Sequence, residues 1–190
     1  GYSLGVNIGE NIKKQFANIN LDNFEAGIKD VLEKELEAKI SDNQAQAIIN
    51  SYFSKKQKKE SETMIEEGAN YLQENAKREG VTTLPSGLQY EIINGGTGPK
   101  PTLEDNVTTH YHGTLVDGTV FDSSVDRGEP ASFPVGGVIK GWTEALQLMS
   151  VGSKWKLYVP YDLAYGERGA GAQIGPYSTL IFEVELISIN

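Results

Sequence analysis

The sequence predicts an α+β protein in three parts: an N-terminal all-α region, a long connecting helix, and a C-terminal antiparallel sheet wrapped on a short helix. Three observations predict it. Apolar residues recur at helical spacing up to about residue 80 and at period two beyond it. Inside the helical part, Ser54 to Thr63 carries no large apolar residue, yet no Pro interrupts the helix there. Beyond residue 84 a single short segment has a helical apolar face, formed by Trp142, Ala145, Leu146 and Met149.

The first helix is marked by Leu4, Ile8 and Ile12, spaced every four residues as one stripe. Gly5 and Gly9 sit one turn apart beside it, where glycine costs helix stability, so close contact with another helix is expected. A second helix is expected to start at Asp22, with Glu25 three residues on as its capping-box partner. Phe24, Ile28, Val31, Leu32 and Leu36 form its apolar face. Ser41-Asp42-Asn43-Gln44 repeats the capping-box spacing, and Ala45, Ile48, Ile49, Tyr52 and Phe53 continue a stripe.

Lys55, Lys56, Lys58 and Lys59 then precede Glu60 and Glu62, before Met64, Ile65, Tyr71 and Leu72 bring apolar residues back. The run ends at Glu79-Gly80. One helix over 42–79 would span roughly 55 Å. Its polar middle marks a solvated strut between two bodies.

The domain reading follows: 1–41 a helical dimerisation domain completed by the start of the next helix, 42–79 the connecting helix, and 84–190 the C-terminal sheet domain. Two short amphipathic helices and part of a third make a marginal core alone. Burying their stripes against a second copy solves this, so a homodimer through the N-terminal helices is expected. The alternative is that they fold back on the C-terminal domain. The polar helix middle, which separates the two ends, favours the dimer.

In the C-terminal part, Leu88 to Ile93 and Val107 to Leu115 are strand-like, with Tyr111 central in the second. Trp155, Leu157 and Val159 alternate with Lys154, Lys156 and Tyr158. Leu180, Phe182, Val184 and Leu186 alternate with Ile181, Glu183, Glu185 and Ile187. These are the patterns of an antiparallel sheet with one face covered.

Composition excludes several classes. A net charge of −9 argues against nucleic acid and anionic membrane as general partners. The absence of Cys removes disulfides and thiolate chemistry. No run is long and apolar enough to span a membrane.

Strand alternation puts His110 and His112 on one face and Tyr111 on the other. Tyr111 is expected to point inward and the histidines to be exposed, with no metal bound. Gly95-Gly96-Thr97-Gly98-Pro99-Lys100 lacks the spacing of a phosphate loop, and Gly166-Glu167-Arg168-Gly169-Ala170-Gly171 lacks the dinucleotide order, so both read as turns. The lysines from 55 to 59 read as a solvated helix face.

That leaves Gly118-Thr119-Val120-Phe121-Asp122-Ser123-Ser124, after Tyr111-His112-Gly113 and before Leu163-Ala164-Tyr165-Gly166. Aromatic rings and one carboxylate come together with no nucleophile beside them. Asp122, next to Phe121, needs a partner if it is to sit among aromatics.

These blocks, in this order, resemble the FKBP family of peptidyl-prolyl cis-trans isomerases, over roughly Leu84 to Asn190. Val138-Ile139-Lys140-Gly141-Trp142, Met149-Ser150-Val151-Gly152 and Leu180-Ile181-Phe182-Glu183-Val184 belong to the same series. The resemblance implies a prolyl isomerase without cofactor, whose pocket holds Tyr111, Phe121, Asp122, Arg127, Phe133, Val138, Ile139, Trp142, Tyr165 and Phe182. Trp142 would floor it. The Ile139 N–H and Tyr165 hydroxyl would bind ligand carbonyls, and Asp122, held by Tyr111 and Arg127, would face the substrate amide. Tyr111, Asp122, Ile139 and Tyr165 are thus the expected catalytic set, and the other six bind substrate.

Ala131, where many members have an aromatic, and the loop Ala170-Gly171-Ala172-Gln173-Ile174-Gly175-Pro176 thin the pocket rim. Tyr2-Ser3-Leu4-Gly5, the long helix and Trp142-Thr143-Glu144-Ala145-Leu146-Gln147-Leu148-Met149 are similar to the bacterial macrophage infectivity potentiator (Mip-like) group. That similarity implies a homodimer, proline-containing polypeptide clients, chaperone activity in protein folding, and binding of rapamycin-type macrolides. The alternative class is an FKBP-like binding module or chaperone without significant catalysis. Periplasm or cell envelope and cytoplasm both stay open as compartments. The start at Gly1 rather than Met leans slightly toward the envelope, and whether a leader or lipid anchor was removed stays open.

Overall fold

The computed structural model describes residues 1–16, 19–33 and 39–190. Leu36, placed above on the second helix, lies outside the described residues. The chain divides into two compact units, Gly1–Lys55 and Lys56–Asn190.

The first unit holds α1 (Tyr2–Gln15), α2 (Leu21–Leu32) and the opening of α3 (Asp42–Asn75). α2 starts at Leu21, one residue earlier than Asp22, because Asn20 is its cap: the Asn20 side chain accepts the Asn23 N–H at 2.8 Å. Asp22 is therefore inside the first turn, and Glu25 pairs with Lys29 at 2.7 Å instead of closing a capping box. At α3 the capping box forms: the Ser41 N–H donates to Gln44 Oε1 at 2.9 Å and the Gln44 N–H to Ser41 Oγ at 3.3 Å.

Neither α1 nor α2 has a buried residue. Phe16, Tyr52 and Phe53 form an aromatic cluster, with ring centroids 5.3 to 5.6 Å apart. Beside it, Ile8, Ile12, Phe24 and Ile28 line an open groove of about 510 Å³. Gly5 and Gly9 face this space with nothing within 4 Å of a Cβ position.

The second unit takes the rest of α3 and a seven-stranded sheet. Its strands are β1 (Val81–Thr83), β2 (Gln89–Asn94), β3 (Asn106–Leu115), β4 (Val120–Ser123), β5 (Ala131–Pro134), β6 (Lys154–Val159) and β7 (Leu180–Ile189). They pair antiparallel in the order β1-β2-β6-β7-β3-β4, with β5 also on β3. Two short helices interrupt them, α4 (Ser124–Arg127) and α5 (Lys140–Leu146). Trp142, Ala145, Leu146 and Met149 are buried in one core with Leu157, Val159, Leu180, Val184 and Leu186. The face set by the helical spacing of the first group is the face that packs.

The end of α3 departs from a fully solvated strut. Gly68 and Asn75 are buried. Asn75 Nδ2 donates to Gln89 Oε1 at 2.8 Å, and Gln89 Nε2 to the Leu72 carbonyl at 2.8 Å. Arg78 Nη1 donates to the Tyr158 hydroxyl at 2.8 Å. Tyr158 lies on the face that alternation assigned to solvent, yet it is 1% exposed. The second face of the sheet is thus covered at this end by α3. The helix stops at Asn75 rather than 79, since the Lys77 and Arg78 N–H groups bond three residues back and tighten the chain into a turn.

Candidate active site

Nine of the ten residues expected at the site line one cleft of about 660 Å³. Tyr111 comes from β3, Phe121 and Asp122 from β4, Phe133 from β5 and Phe182 from β7. Val138 and Ile139 lie just before α5, Trp142 is on its first turn, and Tyr165 is in the loop after β6. Arg127, the tenth, is not part of the lining; it reaches the site through hydrogen bonds from α4.

Trp142 is the hub of the aromatic floor. Its ring stands edge-on to Tyr111 at 5.4 Å and 83°, to Phe133 at 5.8 Å and 84°, and to Phe182 at 5.3 Å and 79°. Phe121 meets Phe182 edge-on at 5.4 Å and 84°. Edge-to-face pairing is the favourable arrangement of aromatic quadrupoles, so the floor is rigid as well as apolar. Trp142 is both core and floor, at 4% exposure.

The role of Gly113 escaped the sequence reading, and the rim loop closes the cleft with one large residue rather than only thinning it. A Cβ on Gly113 would stand 2.7 Å from the Phe121 ring and 3.1 Å from Phe182, so glycine there makes room for the two rings to meet. Its signal was the Tyr111-His112-Gly113 order, which did not by itself reveal a ring on that face. Ile174, buried at 8%, closes the lining from the rim loop with Ala170, Gly171, Ala172 and Gln173. Its place follows from a bridge between Ala170 and Ile174 that brings the loop back on itself.

The polar part of the site is a three-way contact. The Tyr111 hydroxyl donates to Asp122 Oδ2 at 2.5 Å. Arg127 Nη2 donates to the Tyr111 hydroxyl at 2.9 Å, Nη1 bonds Asp122 Oδ1, and the guanidinium lies 5.7 Å from the centre of the Tyr111 ring. Burial pushes the Asp122 pKa up, but the Tyr111 hydroxyl and the Arg127 guanidinium together hold it below the ordinary carboxylate value. Burial, reinforced by the Asp122 carboxylate, pushes the Tyr111 phenol up, with Arg127 opposing. Asp122 is therefore a fixed anion and Tyr111 a fixed neutral donor at neutral pH. Such a pair orients and polarises; it is not poised to exchange a proton.

The histidines are half-buried rather than free. His110 Nδ1 lies 3.1 Å from Ser124 Oγ and His112 Nδ1 2.9 Å from Ser123 Oγ. Alternation had set their face correctly, but it carries no information about the turn of α4 folding against them.

A family model described as FKBP-type peptidyl-prolyl cis-trans isomerase matches residues 98–187. A second, described as the domain amino terminal to FKBP-type peptidyl-prolyl isomerase, matches residues 1–92. The FKBP-type 22 kDa peptidyl-prolyl cis-trans isomerase of Escherichia coli (strain K12) is 50% identical, over 99% of this chain and 93% of that protein. Outer membrane protein MIP of Legionella longbeachae is 45% identical, over 100% of this chain and 84% of that protein. The crystal structure of FkpA from Escherichia coli is similar at a TM-score of 0.80 and 34% identity, over 100% of this chain and 94% of that one.

Proposed function

The chain belongs to the FKBP-type peptidyl-prolyl cis-trans isomerases, and from that premise we propose how its cleft turns an X–Pro bond and how the chain is used. One observation carries the reading: a single ionised carboxylate, tied by Tyr111 and Arg127, stands at an aromatic floor centred on Trp142.

Rotation about a peptide bond faces a barrier of about 18–20 kcal/mol, which comes from amide resonance. The planar amide is the more charge-separated form and the better hydrated one. Binding among Phe121, Phe133, Trp142 and Phe182 removes water from it, which favours the twisted form relative to the planar one. The Ile139 N–H, at the start of α5, and the Tyr165 hydroxyl, on the rim, hold the flanking carbonyls of the twisted chain. Asp122 faces the amide and fixes its orientation, with Tyr111 and Arg127 holding the carboxylate in place. These interactions are made best with the transition state, which is what accelerates the step. No bond is made or broken.

The N-terminal unit supplies association. Its stripes are exposed, with Leu32 74% and Val31 73% accessible, and the groove along Ile8, Ile12 and Phe24 is open. A second copy of the chain covering them forms the homodimer of the proposal. Residues 1–41 are then the dimerisation domain, 42–79 the connector and 84–190 the catalytic domain. Two pockets on one dimer engage two sites of one proline-containing polypeptide, and effective concentration raises avidity without new contacts. This is the basis of the proposed chaperone activity. Rapamycin-type macrolides are proposed to occupy the same cleft. The proposed address is the bacterial cell envelope, supported by the match over the whole chain to a relative named as an outer membrane protein. No described helix is long and apolar enough to cross a membrane.

Cis–trans exchange in a short X–Pro peptide, followed with and without rapamycin, tests the reading. Acceleration that the macrolide abolishes is the expected result. Absence of acceleration with rapamycin still bound would turn the reading to a binding module.

A further inference from the structure

Strand β3 is paired along one edge by β7, and along the other by two shorter strands with a gap between them. β4 pairs up to the rung His112↔Ser123, and β5 resumes at Thr109↔Ala131. His110 and Tyr111 lie in that gap. The Tyr111 N–H and C=O face this edge; such groups need partners away from water, and here no strand supplies them.

The next rung in register after His112↔Ser123 would set Tyr111 opposite Ser124, but at Ser124 the chain has already turned into α4. The Ser124 side chain takes the place of the missing strand. Its Oγ accepts the Tyr111 N–H at 2.7 Å and donates to the Tyr111 carbonyl at 3.2 Å. A hydroxyl has one proton and two acceptor positions. With the proton on the Tyr111 carbonyl, the second acceptor position faces His110 Nδ1, 3.1 Å away. Ser124 is 0% exposed and does not line the cleft.

The same four-residue helix grips the other end of Tyr111. Arg127, its last residue, donates to the phenol oxygen at 2.9 Å and bonds Asp122. The helix is itself anchored by Ser123 Oγ, which accepts the Asp126 N–H at 3.1 Å and lies 2.9 Å from His112 Nδ1. α4 therefore holds Tyr111 at its backbone through Ser124 and at its hydroxyl through Arg127.

We infer that Ser124 is a positioning residue for the isomerase reaction: its hydroxyl completes the interrupted ladder at Tyr111 and so sets the Tyr111 phenol against Asp122. This rests on the reading that Tyr111 acts through its phenol. Without the Ser124 hydroxyl, the Tyr111 N–H and C=O lose their partner in the gap, and β3 is free to relax where the phenol is aimed. Small displacements of a group that orients the reacting bond cost rate more than binding.

A double-mutant cycle tests this on the full chain, with kcat and KM measured on an X–Pro peptide for wild type, Ser124→Ala, Tyr111→Phe and the double variant. Ser124→Ala is expected to lower kcat about five- to tenfold with KM changed less than about twofold. In the Tyr111→Phe background, where there is no phenol left to position, the same change is expected to cost less than about twofold. A purely structural serine would cost the same factor in both backgrounds, and that result overturns the inference. Wild-type kcat in Ser124→Ala overturns it as well. Wild-type kcat in Tyr111→Phe overturns the reading of the site itself, and the inference with it. If thermal melting shows that Ser124→Ala does not fold, Ser124→Cys carries the same cycle, keeping the side-chain size while weakening both hydrogen bonds.

Discussion

Gly68 of α3 lies so close to Thr179 that a Cβ placed on it would stand 2.5 Å from Thr179 Oγ1. Thr179 ends the rim loop and leads directly into β7. The Thr179 side chain thus packs directly against the backbone of the helix at this point, with only the glycine hydrogens facing it. Gly68→Ala forces one of the two to shift, and overpacking of this kind costs about 1–3 kcal/mol. Denaturant melts are expected to show that loss. Adding Thr179→Ala, which removes the opposing hydroxyl, is expected to recover most of it. If the two losses simply add, the contact is not what sets the cost.

Asp122→Asn keeps the shape of the side chain and removes its charge. The Arg127 and Tyr111 bonds that hold it are then weakened, and the substrate amide loses its orienting anion. The expected outcome is about a tenfold fall in kcat/KM, equivalent to about 1.4 kcal/mol, shared between weaker binding and slower turnover. Complete loss of turnover with unchanged peptide affinity would assign Asp122 to proton transfer instead.

The pH dependence follows from the two shifts. The Asp122 pKa is lowered in the fold, so its contribution is complete above the ordinary carboxylate value of about 3.9 and is lost as pH falls through the folded value. The Tyr111 pKa is raised, so its contribution is complete below the ordinary phenol value of about 10 and is lost as pH rises through the folded value. Peptide isomerisation is therefore expected to be flat from about pH 5 to about pH 9. A bell with a limb near neutrality, in an otherwise stable protein, would contradict the assignment of a fixed anion and a fixed donor.

Trp142 serves two purposes that two substitutions separate. Trp142→Ala removes the hub of four packed rings and is expected to cost about 3–5 kcal/mol, visible as a large drop in melting temperature. Trp142→Leu fills more of the space and is expected to fold, but to bind rapamycin at least about tenfold more weakly, since the flat floor is gone. Unchanged macrolide affinity in Trp142→Leu would remove Trp142 from the binding surface.

A fragment that keeps the docked part of α3 is the right comparison for avidity, because Asn75 and Arg78 bond Gln89 and Tyr158. Residues 56–190 are expected to match the full chain on a short X–Pro peptide and to fall behind it on refolding of a proline-limited protein. Sedimentation is expected to show the full chain as a dimer and the fragment as a monomer. Equal rates on the protein client would remove avidity from the account.

Much of this was readable from the residues. The switch from helical to period-two spacing near Gly80 located the sheet, and Trp142, Ala145, Leu146 and Met149 marked the buried face of α5 and of the turn that follows it. The short blocks around Tyr111, Phe121, Trp142 and Tyr165 carried the family resemblance, and nine of the ten residues it implied for the pocket line one cleft. The Ser41–Gln44 spacing gave the start of α3 for the same local reason.

What the sequence determined alone is what depends on near neighbours: periodicity, caps, and which face of a strand a side chain takes. It could not show that α3 covers Tyr158, that Gly113 leaves room for two rings, or that Ser124 completes the ladder at Tyr111. Those depend on segments far apart in the chain meeting at a few ångströms, and only the tertiary structure decides which polar groups are left without a strand partner and which side chain comes to meet them.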